Sequence, residues 1–205
     1  MVTHQLRARG ITDRDVLAAM ECVPRHLFVP PELRLEAYED YPLSIGFGQT
    51  ISQPYIVALM TQSLELRGGE RVLELGTGSG YQAAVLSRLA REVVTVERSP
   101  ELSRSAAARL ARLGYHAVRC VLGDGTLGLP EEAPFDRVVA TGSLPGVPEA
   151  LVARLTEGGL LVAPVGDRFW QELLRVRQRP TRRIERLGGC RFVPLIGEGG
   201  WEGPP

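Results

Sequence analysis

Residues 72–82 read Val72-Leu73-Glu74-Leu75-Gly76-Thr77-Gly78-Ser79-Gly80-Tyr81-Gln82, an apolar run that breaks into three alternate glycines and resumes as apolar chain. The run from Arg71 to Leu75 predicts a buried strand, and Gly80 to about Ala90 a helix. Glycines between them permit a tight turn, let a ligand lie against bare backbone and leave the first helical amides facing it. A nucleotide-type ligand fits such a turn. An isolated glycine-rich turn is equally compatible with an ordinary βα connection, so the rest of the chain decides.

On the C-terminal side the pattern alternates. Strand Val93 to Glu97 leads to a helix capped by Ser99 and Pro100 and ended by Gly114; strands Ala117 to Leu122 and Arg137 to Ala140 follow, then helix Val147 to Leu155 and strand Leu160 to Pro164. This order predicts an α/β fold with a doubly wound, mainly parallel sheet. Gln171 to Val176 and Ile184 to Pro194 read as antiparallel strands joined by a turn over Arg179 to Arg183, either inserted in the sheet or added at an edge. Glu198 to Pro205 is expected to be poorly ordered.

The N-terminal side reads as a small helical cap. Thr12 with Asp15 forms a variant capping box before Val16, Leu17 and Met20, and Pro31 opens a second helix over Glu32 to Tyr38. Tyr41 to Gln53 has no sustained period and predicts a loop. Pro54 then starts a helix with Ile56, Val57, Leu59, Met60 and Leu64 on its apolar stripe, which puts Ser52 at the loop-to-helix junction.

Composition sets limits. The 205 residues carry 24 basic and 24 acidic side chains, so no global field draws the chain to nucleic acid or membrane. No run has signal-peptide or membrane-span length, which reads as cytoplasmic. All the basic residues are Arg and Asn is absent, a bias that fits a heat-adapted or high-GC source and says nothing about chemistry. Cys22, Cys120 and Cys190 have neither disulfide nor metal spacing and read as buried apolar thiols. His4, His26 and His116 are scattered, without partners at motif spacing.

Two acids sharpen the ligand. Glu97 ends the strand after the glycine turn, where a doubly wound fold presents an acid to ribose hydroxyls; Asp124-Gly125 follows the next strand at the same sheet edge. Asp-Gly is also a common turn former. The spacing Gly-x-Gly-x-Gly, with Glu74 two residues before, differs from the dinucleotide fingerprint and resembles the first motif of the S-adenosylmethionine-dependent methyltransferases. That resemblance implies S-adenosylmethionine as cofactor, with Gly76, Thr77, Gly78 and Gly80 at its methionine part, Glu97 at the ribose, and Asp124 with Gly125 at the adenine.

The stretch Gly46-Phe47-Gly48-Gln49-Thr50-Ile51-Ser52-Gln53-Pro54 closely resembles the signature of the protein-L-isoaspartate O-methyltransferases. So do Arg25-His26-Leu27-Phe28-Val29-Pro30, Gly123-Asp124-Gly125, Glu132-Ala133-Pro134-Phe135-Asp136 and Arg191-Phe192-Val193-Pro194-Leu195, together covering nearly the whole chain. Gly142-Ser143-Leu144-Pro145 departs from the usual Ala-rich run, and Cys190 stands where Val is common. The resemblance implies a Rossmann-like methyltransferase of one domain: cap and active-site loop at 1–53, cofactor-binding core at 54–165, strands and tail at 166–205.

It further implies methyl transfer to the free carboxylate of isoaspartyl residues in damaged proteins, leading through a succinimide back to aspartate. Ser52 is the implied catalytic and substrate residue, Thr50 and Ile51 belong to the cofactor side, Val193 to the substrate, and no metal takes part. A carboxylate with an ordinary pKa of about 4 is ionised near neutrality and needs no general base. Ser52 could also serve as helix N-cap. We expect substrate to run extended along Arg191 to Leu195 under the Tyr41 to Gln53 loop, and the chain to act as a monomer on isoaspartyl proteins and peptides, not on nucleic acid or membrane. The alternatives are a small-molecule or RNA methyltransferase, or a non-catalytic cofactor-binding module. The Arg175 to Arg186 cluster lacks the interleaved aromatics that RNA binding wants beyond Trp170, and the intact Ser52 motif disfavours a module without turnover.

Overall fold

The computed structural model describes residues 1–178 and 181–203. Helix α1 (Arg14–Cys22) is capped by Asp13, whose Oδ1 accepts from the Asp15 and Val16 amides at 3.0 and 3.1 Å. The cap is therefore Asp13 and not the expected Thr12: the Asp13 carboxylate reaches both orphan amides, while Gln62 Oε1 accepts from the Thr12 and Asp13 amides alike, at 2.8 and 2.9 Å. Pro31–Glu36 is a 3-10 turn, shorter than the helix expected over 32–38. It closes early because the buried Arg25 Nε takes the Ala37 carbonyl at 2.6 Å.

Where a loop was expected over 41–53, the chain forms an antiparallel hairpin of β1 (Leu43–Gly46) and β2 (Gln49–Ile51). Phe47 and Gly48 at its tip have φ of 54° and 68°, the left-handed pair that a two-residue hairpin turn requires. Helix α2 (Pro54–Ser63) follows, with Gln53 at its cap position and no side-chain cap there. Asp40 Oδ1 accepts from the Tyr55 amide at 3.0 Å instead, so capping does not occupy Ser52.

The remaining elements are β3 (Arg71–Leu75), α3 (Tyr81–Leu86), β4 (Glu92–Glu97), α4 (Pro100–Arg112), β5 (Val118–Leu122), β6 (Phe135–Ala140), α5 (Glu149–Ala153), β7 (Leu155–Gly166), β8 (Gln171–Arg177) and β9 (Arg183–Cys190). The main sheet runs β5-β4-β3-β6-β7-β8-β9. Its first five strands are parallel and the last two antiparallel, the expected doubly wound α/β fold with the C-terminal strands added at an edge. From β3 the chain winds outward to β4 and β5, and from β6 it winds the other way to β7. That reversal opens a crevice at the carboxyl ends of β3 and β6. Alternate strand residues feed the two faces: Leu73, Val94 and Val138 pack on one side, Val72, Val93 and Val139 on the other, all fully buried.

Several boundaries differ from expectation for local reasons. Helix α3 stops at Leu86, not near Ala90, as Ser87 Oγ donates to the Ala84 carbonyl and the next amides close tight i→i+3 turns. Helix α5 is short because the Arg154 carbonyl already accepts from the Phe135 amide at 2.8 Å, which starts β7 early. Strand β9 ends at Cys190 because Gln171 draws Phe192 aside, its Oε1 accepting from the Phe192 amide at 2.7 Å.

Cys22 is exposed at the end of α1, and Cys120 and Cys190 are half-buried, so the expectation of buried thiols fails for Cys22. Of the expected Arg179 to Arg183 turn, Arg179 and Pro180 lie outside the described residues. The tail is ordered through residue 203 where disorder was expected, because the Glu198 amide donates to Asp124 Oδ2 at 2.8 Å and the Gly199 amide to Thr126 Oγ1 at 3.0 Å; Pro204 and Pro205 lie outside the described residues.

The cap assignment is testable by thermal melting: Asp13→Ala should cost about 1 kcal/mol and lower Tm by roughly 2–4 °C, while Thr12→Ala should be nearly silent. The reverse order would return the cap to Thr12.

Candidate active site

The glycine turn is pinned at every step. The Gly76 and Thr77 amides both donate to the Val96 carbonyl, at 2.8 and 3.3 Å, and Thr141 Oγ1 donates to the Gly76 carbonyl at 2.5 Å. The Gly78 amide donates to Glu97 Oε2 at 2.9 Å, while Glu97 Oε1 accepts from the Ser99 amide at 3.0 Å. Gly76 and Gly80 have φ of 93° and 86°, where a side chain is strained. A Cβ at Gly76 would also come within 2.7 Å of Thr141 Oγ1, and one at Gly80 within 3.2 Å of Leu110. The first fits a loop closely held for a ligand, the second a loop packed against α4.

Above the turn lies a cavity of about 100 Å³ lined by Thr50, Ile51, Ser52, Gly76, Thr77, Gly78, Glu97 and Val193. Hairpin, glycine loop and the 193–195 segment thus meet at one place although they are far apart in sequence. Glu97 also borders an adjoining space of about 30 Å³ that contains Asp124 and Gly125. Gly80 lines neither space.

Glu74 is the residue that sequence reasoning undervalued, using it only to mark motif spacing. It is fully buried, borders the larger cavity, and neither of its carboxylate oxygens has a hydrogen-bond partner among the described residues. Burial pushes its carboxyl up to about 8, with the Glu97 charge adding to the effect. The Thr95 hydroxyl opposes the shift but is itself shared with Thr77 Oγ1 at 2.7 Å. The sequence signal was an acid in an otherwise apolar buried strand, Val72-Leu73-Glu74-Leu75.

Asp124 behaves differently. Burial alone would raise its carboxyl, but hydrogen bonds from the Thr126 hydroxyl and the Glu198 and Thr126 amides, with Arg98 nearby, hold it below the usual carboxylate range. Its Oδ1 caps the turn Gly125–Leu127, so the turn-forming use of Asp-Gly is realised here. Gly142 and Leu195 were also missed. A Cβ on Gly142 would come within 2.7 Å of Leu195 Cγ and 3.0 Å of the Val193 carbonyl, which accounts for glycine in place of the usual Ala-rich run.

Comparison with known proteins agrees with this architecture. The sequence profile described as protein-L-isoaspartate(D-aspartate) O-methyltransferase (PCMT) matches residues 1–200. The protein-L-isoaspartate O-methyltransferase of Methanoculleus marisnigri is 57% identical over 99% of this chain and 93% of its own length. A solved structure described as protein-L-isoaspartate O-methyltransferase superposes with a TM-score of 0.82 at 32% identity, covering 94% of this chain and 64% of that longer one. A Plasmodium falciparum chain described as a protein-L-isoaspartate O-methyltransferase, solved in complex with S-adenosyl-L-homocysteine, gives a TM-score of 0.81 at 26% identity, covering 95% of this chain and 96% of that one. With the glycine loop, the paired acids and the hairpin serine meeting at the sheet's crevice, these likenesses lead to one conclusion: the chain belongs to the protein-L-isoaspartate(D-aspartate) O-methyltransferase family.

Proposed function

We propose that this chain repairs damaged proteins by transferring a methyl group from S-adenosylmethionine to the free carboxylate of L-isoaspartyl residues, whose esters return through a succinimide to aspartate. The observation that carries the proposal is that Ser52 and Val193, on the acceptor side, border the same cavity as the glycine loop. S-adenosylmethionine supplies, when bound, an electrophilic methyl group on a cationic sulfonium beside a second cation, its ammonium. The residues present fit it. A buried, unpartnered acid is costly until a counter-charge arrives, and Glu74, without a hydrogen-bond partner among the described residues, borders the cavity together with Gly76 and Gly78. In this reading Gly76, Thr77 and Gly78 shape the floor for the methionine part, with Gly80 behind them packing the turn against α4, Thr50 and Ile51 close over it, Glu97 takes the ribose, and Asp124 with Gly125 takes the adenine.

The acceptor carboxylate is already ionised near neutrality, so the chain's task is alignment and the removal of water. Ser52 holds the attacking oxygen through one neutral hydroxyl, firm enough to orient it and weak enough to leave it nucleophilic. The Val193 carbonyl accepts from the Ser143 amide at 2.8 Å and the Leu195 amide donates to the Ser143 carbonyl at 2.9 Å. Those pairings hold the 193–195 segment in strand-like form at the cavity edge, a shape for recognising an extended substrate main chain and sensing where the extra methylene sits.

We read the chain as a cytoplasmic monomer acting on proteins and not on nucleic acid. No helix among the described residues is long and apolar enough to cross a membrane. Arg175, Arg177, Arg182 and Arg186 each meet a carboxylate, on Glu65, Glu185, Glu149 or Glu172, which disfavours the RNA alternative for that cluster.

Labelled methyl transfer tests the proposal: an isoaspartyl peptide should become labelled, its aspartyl twin and RNA should not. Ser52→Ala should lower kcat by at least roughly tenfold, in line with losing one positioned donor, while S-adenosylhomocysteine binds as before; equal turnover of the two proteins would refute the Ser52 role. A second expectation follows from Glu74. Its folded-state value of about 8 lies above the ordinary 4.5, so its contribution to stability is complete in acid and is lost as pH rises through that window. In the absence of cofactor, the melting-temperature advantage of Glu74→Gln over the parent should widen between pH 5 and 8 and then level off. A gap independent of pH would show that Glu74 does not titrate there.

A further inference from the structure

The end of the chain is built with more care than a tail needs. After Leu195 the backbone turns back on itself: the Gly197 amide donates to the Trp201 carbonyl at 3.1 Å, Gly200 to Gly197 at 3.1 Å and Trp201 to Leu195 at 2.8 Å. The Trp201 ring packs with the Arg168 guanidinium, 5.3 Å from its centroid. From this turn the Glu198 and Gly199 amides reach down to Asp124 Oδ2 and Thr126 Oγ1.

Three glycines here are required by close approach and not by conformation, since none has a left-handed φ. A Cβ at Gly197 would collide with both Asp124 carboxylate oxygens, one at Gly199 would stand 2.7 Å from the Thr126 carbonyl, and one at Gly200 would collide with the Leu195 carbonyl. The sequence Leu195-Ile196-Gly197-Glu198-Gly199-Gly200-Trp201 is therefore shaped to lie directly on Asp124 and Thr126.

Beneath it is the small space beside Glu97. Its floor is Gly125, where a Cβ would come within 2.9 Å of Leu75 and 3.0 Å of Val96, and its roof is Leu195 and Ile196. At about 30 Å³ it has room for little more than one water and none for a purine. Asp124, the acid at that end of the site, has Oδ1 engaged by the Thr126 amide and hydroxyl and Oδ2 by the tail.

We propose that residues 195–201 form a strap that roofs the nucleoside end of the cofactor site, latched to Asp124 and Thr126, lifting to admit the purine and closing again over it. This rests on the reading of the site as one for S-adenosylmethionine. Between its ends, held by the Leu195 amide on Ser143 and by Trp201 against Arg168, the strap is latched by two hydrogen bonds from backbone to side chain, few enough to open locally while the sheet stays intact. Leu195 joins the strap to the rest of the site, because it packs on Gly142 and stands 3.4 Å from where a Gly76 Cβ would be. Lifting the strap thus loosens the acceptor segment at Val193 as well, and cofactor binding firms both.

Hydrogen exchange of the full chain, free and saturated with S-adenosylhomocysteine, tests the strap. Amides 197–201 should exchange roughly tenfold more slowly in the complex, the scale of one or two net hydrogen bonds, with the β3 and β4 amides unchanged. Thr126→Val keeps the side-chain shape but removes the acceptor for Gly199 and the hydroxyl that donates to Asp124 Oδ1, loosening both sides of the latch, and stopped-flow binding should show both association and dissociation of S-adenosylhomocysteine severalfold faster than in the parent. Equal exchange at the strap with and without ligand, together with unchanged rate constants in Thr126→Val, would overturn the strap while leaving the cofactor assignment intact. A parent protein that does not bind S-adenosylhomocysteine at all would instead overturn the cofactor assignment and the strap with it.

Discussion

A buried acid without a hydrogen-bond partner among the described residues is the constraint around which the site is organised. Glu74 sits inside β3, fully buried, with a second carboxylate, Glu97, ending the neighbouring strand. Two acids so placed repel each other unless one is neutral or a cation lies between them. The protein relieves only one of them: Glu97 accepts from the Gly78 and Ser99 amides, while Glu74 has no hydrogen-bond partner among the described residues and burial raises its carboxyl. In the reading proposed above, the sulfonium and ammonium of the methyl donor are the cations that such an acid lacks.

The glycine loop follows from the same constraint. Its amides must reach Val96 and Glu97 while its own surface stays free of side chains, and glycines at left-handed φ accomplish both. The two remaining walls come from opposite ends of the chain, the hairpin at 43–51 and the segment at 193–195. Ile45 lies 3.5 Å from where a Gly78 Cβ would be, and Leu195 stands over Gly76 and Gly142. Ser52 is thereby held at the edge of the cavity with its hydroxyl not consumed in capping α2, a task that falls to Asp40.

What could be read from the sequence was whatever is decided locally. Strand β3, the glycine turn and Glu97 are written between residues 71 and 97, and the alternation around them determined the sheet class. The hairpin escaped notice because it is short, with only Leu43 and Ile51 fully buried, and because Phe47-Gly48 lacks the usual Asn-Gly or Asp-Gly signature. Order in the tail was hidden for a different reason: its latches are side chains 74 and 73 residues away, which no local pattern encodes. Thr12 and Asp13 are both good caps, and both amides bond Gln62; only the reach of the Asp13 carboxylate to the Asp15 and Val16 amides separates them. The acceptor side was accessible only by resemblance, since nothing in the spacing of Ser52 and Val193 brings them to one cavity until the fold is complete.

The electrostatic claim has a direct measurement. Titration calorimetry of S-adenosylhomocysteine at pH 7, repeated in buffers of different ionisation heat, counts the protons exchanged on binding. If Glu74 is neutral in the free protein and ionised against the ligand's ammonium, the parent should release close to one proton more per site than Glu74→Gln, as expected for a carboxyl moving from above to below the working pH. Equal proton release by the two proteins would contradict the account.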